Sequence, residues 1–174
     1  MTAFSLQPFG TPHPDITITG TLEREGNQLA ISYTVSGNLN QVIVPPPSSP
    51  TRQFDLWEAT CLEFFLGQPH QPNYWEFNLS PAGDWNAFHL EAYRQGLQEV
   101  EAIKALPFQV HHQQTALTLS LTFDLNQIMA TSPALDVGIC AVIQSPDLPL
   151  TYWALCHPGS EADFHQRDSF ILVL

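Results

Sequence analysis

The sequence predicts an all-β protein, an antiparallel β-sandwich of jelly-roll-like form with about eleven strands and little helix. Three observations predict it. Short segments that alternate polar and apolar residues recur about every ten residues. Turn formers separate them, drawn from 15 prolines and 9 glycines. Almost nothing between them has the period of an amphipathic helix.

The elements follow in order. Residues 16–22 (ITITGTL) alternate, and in 29–35 Leu29, Ile31, Tyr33 and Val35 face one way. Gly26 and Asn27 read as the hairpin turn between them. Residues 41–44 (QVIV) suggest a short strand ending in PPPSSP, a stiff loop whose prolines lack ladder donors. Strands are expected at 60–66, 74–80 and 86–93. FQVHH (108–112) and ALTLSLTF (116–123) form a hairpin around Gln113 and Gln114, with Leu117, Leu119, Leu121 and Phe123 inward. Asp124 is placed to cap one or two helical turns over 124–130. VGICAVIQ (137–144) is apolar on both faces and reads as a central strand, followed by LTYWAL (150–155) and SFILVL (169–174).

Length and composition narrow the function. The chain has 174 residues, which fits one domain over 1–174 that buries a core without disulfides. Its 17 acidic residues against 5 basic ones give a net charge of -12, which repels phosphate backbones and anionic membranes. Nucleic acid and membrane are therefore not expected as partners. The first ten residues lack the basic and apolar regions of a secretory signal. Cys61, Cys140 and Cys156 are an odd, unpaired set, which reads as reduced thiols in a cytoplasmic protein.

Strand parity then points to a site. In 74–80 the row Trp75, Phe77 and Leu79 faces the core, and in 60–66 the row Leu62, Phe64 and Leu66 does so. Glu63 then lies beside Glu76 or Asn78 on the opposite face, because cross-strand partners share a face. For the third strand the expected inward row is Phe88, Leu90 and Ala92, which sends Trp85, His89 and Tyr93 outward. The predicted face combines Glu63, Phe65, Tyr74, Glu76, Asn78, Ser80, Trp85, His89 and Tyr93. Aromatic rings stack on the apolar faces of a sugar while carboxylates and amides bond its hydroxyls, so a concave sheet with this lining suits a polyhydroxylated ligand. The competing reading is a second small core beneath the loop 45–59 or 95–107.

The segments "LWEATCLEFFLG", "YWEFNLSPAGDWNAFHLEAYRQG" and "YWALCHPGSEADFH…FILVL" resemble the bacterial DOMON-like proteins, of the same sandwich superfamily as the family 9 carbohydrate-binding modules. The resemblance covers 52–96 and 151 to the end. It implies a sandwich that binds sugars or, in some relatives, haem. Its aromatic clamp would match Trp85 with Trp57 or Trp153. The haem relatives use a Met and a His as axial ligands; Met129 is the only internal Met here, so that pattern is not met and no cofactor is expected. Some relatives are described as glycoside hydrolases.

The expected function is non-catalytic binding of a carbohydrate or similar small molecule. One alternative is a glycoside hydrolase using Glu63 and Glu76, whose chemistry needs two carboxyls roughly 5 to 9.5 Å apart. Another is an interaction module whose aromatic face docks a protein or a second copy as a homodimer. His157 and His165, with Cys156, Glu161 and Asp163 nearby, offer metal-ligand types without a zinc spacing. Cys61 is the thiol expected on the outward face. Arg94 is expected to tie down a carboxylate such as Asp55 or Glu58.

Overall fold

Twelve strands carry the fold in the computed structural model, which describes residues 1–47, 49–129 and 133–174. They are β1 (Thr2–Pro8), β2 (Ile16–Glu25), β3 (Gln28–Gly37), β4 (Cys61–Gly67), β5 (Tyr74–Leu79) and β6 (Trp85–Leu90). The second half supplies β7 (Gln98–Glu99), β8 (Phe108–His112), β9 (Ala116–Asp124), β10 (Asp136–Ile143), β11 (Thr151–Ala154) and β12 (Leu172–Val173). Every named pairing is antiparallel, and helix among the described residues is limited to short 3-10 turns.

The strands run in the order β7-β6-β5-β4-β10-β11-β1-β2-β3-β9-β8, with β12 on β10. β1 joins the two layers. Thr2 to Leu6 pair with β2, while Gln7 and Pro8 pair with β11. The alternation in β2, β3 and β9 buries Ile18, Leu22, Ile31, Tyr33, Leu119 and Phe123 on one side. Against them the second layer turns Leu62, Phe64, Leu66, Phe77, Leu79, Ile139 and Ala141. Phe64 and Phe77 stack with centroids 4.5 Å apart, and Phe77 meets Phe123 edge-on at 5.0 Å, so aromatic contact bridges the layers. Tyr33 crosses the same gap and donates its hydroxyl to the backbone carbonyl of Glu63 at 2.8 Å. That bond pins β4 at the residue on which the site depends.

The expected hairpin at Gly26 and Asn27 is present, since Glu25 pairs with Gln28. Asp124 caps a 3-10 turn over Leu125–Gln127, its side chain accepting from the Asn126 amide at 3.0 Å. The end of the expected 124–130 segment, Ala130, lies outside the described residues, as does Ser48 in PPPSSP. Three expectations change. Residues 41–44 are not a strand. Asn38 to Val42 close a 3-10 turn, and Ile43 makes one ladder-like bond to Gln144 before the prolines end donation. β1 and the two-residue β7 are additional strands. At the C-terminus only Leu172 and Val173 join the sheet, because Arg167–Ser169 form a 3-10 turn.

Candidate functional site

The second layer, β4 to β6 with β10 and β11, has apolar side chains on both faces. Its outer face carries Phe65, Tyr74, Phe88, Leu90, Cys140 and Ala154, which cluster with Phe170 from the segment 155–171. Gly138 makes room for that cover, because a Cβ there would stand 2.8 Å from the Phe170 ring. Arg167 fastens the segment down. Its guanidinium donates to the carbonyls of Gln68, Gln71 and Asn73, pairs with Asp136 at 3.0 Å, and lies 4.9 Å from the Phe170 ring. The face is thus half a second core, covered by 155–171 rather than by 45–59 or 95–107 alone. From the earlier of those loops Phe54 and Trp57 do pack on Phe88.

The other half opens into a cavity of about 480 Å³. Glu63 and Glu76 line it from the sheet, Trp57, Tyr152 and Phe164 supply aromatic walls, and Arg94 and His165 bring basic groups. Register explains the carboxyl pair. Glu63 stands opposite Asn78, and Phe65 opposite Glu76, so the two glutamates are diagonal neighbours on one face. They are 2% and 5% exposed. Asn78 donates its amide to Glu76 at 2.8 Å, while the Cys140 thiol approaches Glu63 Oε2 at 3.6 Å. Glu63 Oε1 and Asn78 Oδ1 are buried without a hydrogen-bond partner in the protein.

Burial dominates the electrostatics. It pushes the Glu63 carboxyl up to about 8, and the neighbouring Glu76 charge pushes the same way against weak bonds from Cys140 and Cys61. Burial raises Glu76 to about 7, opposed by the Asn78 bond and by Arg94. His165 is lowered to about 4, first by burial and then by Arg94, with Asp163 opposing. It is therefore a neutral imidazole at neutral pH. Tyr74 accepts the Arg94 amide proton at 3.2 Å and its hydroxyl meets His165 Nδ1 at 2.8 Å. This network places the Tyr74 proton toward Nδ1 and the imidazole proton on Nε2, 4.0 Å from Glu76. Arg94 pairs with Asp163 at 2.9 Å, not with Asp55 or Glu58, and Tyr93 donates to the same carboxylate. The sequence separation of 69 residues hid that partner.

The structure brings together only part of the predicted site. Glu63 and Glu76 line the cavity, with Asn78 beside them. Tyr74 is on the predicted face but fully buried in the second cluster, where its hydroxyl holds His165 and its ring is covered. Trp85 and His89 lie on the opposite face, because Leu79 pairs with Trp85 and Trp75 with His89. Trp85 is a core residue under the Arg52 guanidinium, 4.4 Å away, and His89 packs on Trp75 and bonds Asn73. The correction comes from the hairpin loop: Ser80 bonds Asp84, which fixes a register in which odd-numbered residues of both strands share a face. Trp153 is also core, with its Nε1 donating to Thr151, and the adjacent Tyr152 is the residue that reaches the cavity. Cys61 is on the predicted face but fully buried.

Nor does the metal alternative gather its ligands. His157 bonds the Gln7 carbonyl at 2.9 Å, whereas His165 bonds Tyr74, and no group of three metal-ligating side chains occurs among the described residues. Trp57, Tyr152, Phe164, His165 and Arg94 complete the cavity lining that parity arguments did not reach. A second cavity, about 380 Å³, lies at Arg52, Trp85 and Lys104, where Arg52 is already bonded to Asn86 and to the Val100 and Ile103 carbonyls.

Comparison with known proteins shows the fold. The chain is similar to the crystal structure of a "putative carbohydrate-binding protein" from Bacteroides uniformis, with a TM-score of 0.62 at 12% identity over 94% of this chain and 83% of the other. No protein-family model matches the sequence. No curated protein matches it either.

Proposed function

We propose that the protein binds a carbohydrate or similar polyhydroxylated small molecule in the cavity beneath 155–171, without transforming it. The observation that carries this reading is Glu63 Oε1, a buried oxygen with no protein partner on a side chain that lines an aromatic-walled cavity. A buried polar atom left unpaired costs about 1–3 kcal/mol, and a ligand hydroxyl would recover it. Trp57, Tyr152 and Phe164 supply flat apolar surface, as a sugar face requires. The fold shared with a protein named for carbohydrate binding supports the same class. The test is calorimetry against neutral and charged mono- and oligosaccharides, with Trp57→Ala and Glu63→Gln as controls. Binding by the wild type that both variants weaken supports the reading; no heat with any sugar rejects it.

A hydrolase reading has one observation in its favour, a diagonal carboxyl pair with both members raised toward neutral pH. It predicts release of reducing ends from an oligosaccharide and abolition of that turnover in Glu63→Gln. Binding with unchanged oligosaccharide decides for the non-catalytic reading.

A further inference from the structure

We propose that the ligand of this cavity carries a protonated amine, as an amino sugar does, and that its ammonium sits against Glu63 and Glu76. The inference rests on the binding reading above and names the chemical class of the ligand.

Leftover hydrogen-bonding capacity comes first. Of the buried unpartnered atoms of this face, Asn78 Oδ1 is an acceptor, and Glu63 Oε1 becomes one when its carboxyl gives up its proton, so the missing group is a donor able to displace that proton. Sugar hydroxyls can donate, but the charge bookkeeping asks for more. Buried carboxyls normally face a cation. Among the described residues no Lys or Arg side chain lies within ion-pair distance of Glu63 or Glu76; the nearest basic atom is His165 Nε2, 4.0 Å from Glu76. Arg94, the cation on the wall, is already paired with Asp163. The hydroxyls of a neutral sugar also donate to such acceptors but bring no charge. Two adjacent carboxyls add mutual repulsion that only a proton or a cation offsets.

The walls agree. Trp57, Tyr152 and Phe164 line the cavity, and an aromatic ring attracts an ammonium placed over its face. At a net charge of -12 the protein draws cations toward it. The ionisable groups turned toward the pair are the thiols of Cys61 and Cys140, the Tyr74 hydroxyl, His165, Arg94 with Asp163, and Glu58 at the rim. At neutral pH Glu63 largely holds its proton and Glu76 is about half-protonated, so an arriving ammonium displaces protons from the pair. Affinity for an amine that keeps its charge therefore increases from pH 6 toward about 8, whereas an amine that itself deprotonates at about 8 gives a maximum below that pH.

The experiment compares glucosamine and its β-linked oligomers with glucose and its β-linked oligomers on the intact chain. Isothermal titration in two buffers of different protonation enthalpy reads both affinity and protons released. The expected result is at least about tenfold tighter binding of the amine member, proton release on binding, and loss of the preference in Glu63→Gln and Glu76→Gln. Equal or tighter binding of the neutral series overturns the amine inference and leaves the binding reading standing. An amine preference that survives in both folded glutamine variants also overturns it, because the cation then binds elsewhere. If neither series binds, the amine inference fails, and the binding reading is left to the wider sugar panel above. Should a variant not fold, the wild-type comparison with its proton count decides alone.

Discussion

Asn78 faces Glu63 directly across β4 and β5, yet its amide goes to Glu76, its neighbour two residues back on the same strand. That choice leaves Glu63 with only weak thiol contacts, from Cys140 and Cys61, and its Oε1 without a hydrogen-bond partner in the protein. The difference fits the two carboxyls' order, with Glu63 raised further than Glu76.

The first prediction is a stability profile that falls with rising pH. An unfolded Glu loses its proton near 4.5, whereas folded Glu63 holds it to about 8. Between those values the native state binds the extra proton, so the stabilisation is complete below the lower value and is lost as pH rises to the upper one. The slope is at most roughly 1.4 kcal/mol per pH unit for one such group. Glu76 adds the same sign up to about 7. His165 contributes the opposite sign between 6.5 and about 4, where the unfolded imidazole takes up a proton first. Urea midpoints measured across this range should decline toward alkaline pH in the wild type and decline less in Glu63→Gln. Parallel profiles would show that Glu63 is ionised throughout.

His165 itself gives the second prediction. Its imidazole should remain neutral down to about 4, which nitrogen shifts in an NMR titration report directly. Arg94→Met removes a positive charge that disfavours the protonated ring and leaves Asp163, which favours it. The titration should therefore move upward. An unmoved midpoint would assign the whole depression to burial.

Which parts of this were legible in the sequence follows from how far each signal reaches. The inward rows of β4 and β5 were legible because Leu62, Phe64, Leu66, Trp75, Phe77 and Leu79 alternate with polar neighbours, and the same alternation placed Glu63 and Glu76 together. β6 was ambiguous, since Ala87 and Phe88 serve either face equally well; only the loop from Ser80 to Asp84 decides, and parity within one strand does not count loop residues. The resemblance's aromatic clamp points to Trp153, whereas its neighbour Tyr152 lines the cavity. Arg94 with Asp163, and Tyr74 with His165, meet only because 155–171 folds back over the sheet. No local period encodes such a return.

The returning segment supplies the third prediction. Arg167 makes charge-assisted bonds to three carbonyls of the β4–β5 connection and to Asp136, and Gly67 leaves space for its guanidinium, which a Cβ would meet at about 2.0 Å. Arg167→Ala should destabilise the protein by about 2 kcal/mol or more, since hydrogen bonds to a charged group are worth about 1.5–3 kcal/mol each and do not add fully. Amide hydrogen exchange should quicken over 155–171, and ligand affinity should fall because Phe164 and His165 ride on that segment. Arg167→Lys keeps the charge without the planar fork and should recover only part of the loss. Unchanged exchange in Arg167→Ala would show that Phe170 alone holds the segment down.

The last prediction separates the two faces of the sheet by comparing truncation of one tryptophan with truncation of the tyrosine beside it. Trp153 is 2% exposed in the main core, and Trp153→Ala removes a large buried ring from a packed interior. The expected cost is about 3–5 kcal/mol, seen as a lower denaturation midpoint. Tyr152 is 36% exposed and lines the cavity, where its ring packs edge-on against Phe164 with centroids 6.0 Å apart. Tyr152→Ala should change stability far less and instead weaken ligand binding. The same contrast holds between Trp85, covered by Arg52 in the core, and Trp57 on the cavity wall. Paired measurement of midpoint and affinity on these four variants tests the assignment of faces independently of ligand chemistry. If Trp153→Ala lowers affinity at full stability while Tyr152→Ala unfolds the protein, the faces are reversed and the cavity is not the binding site.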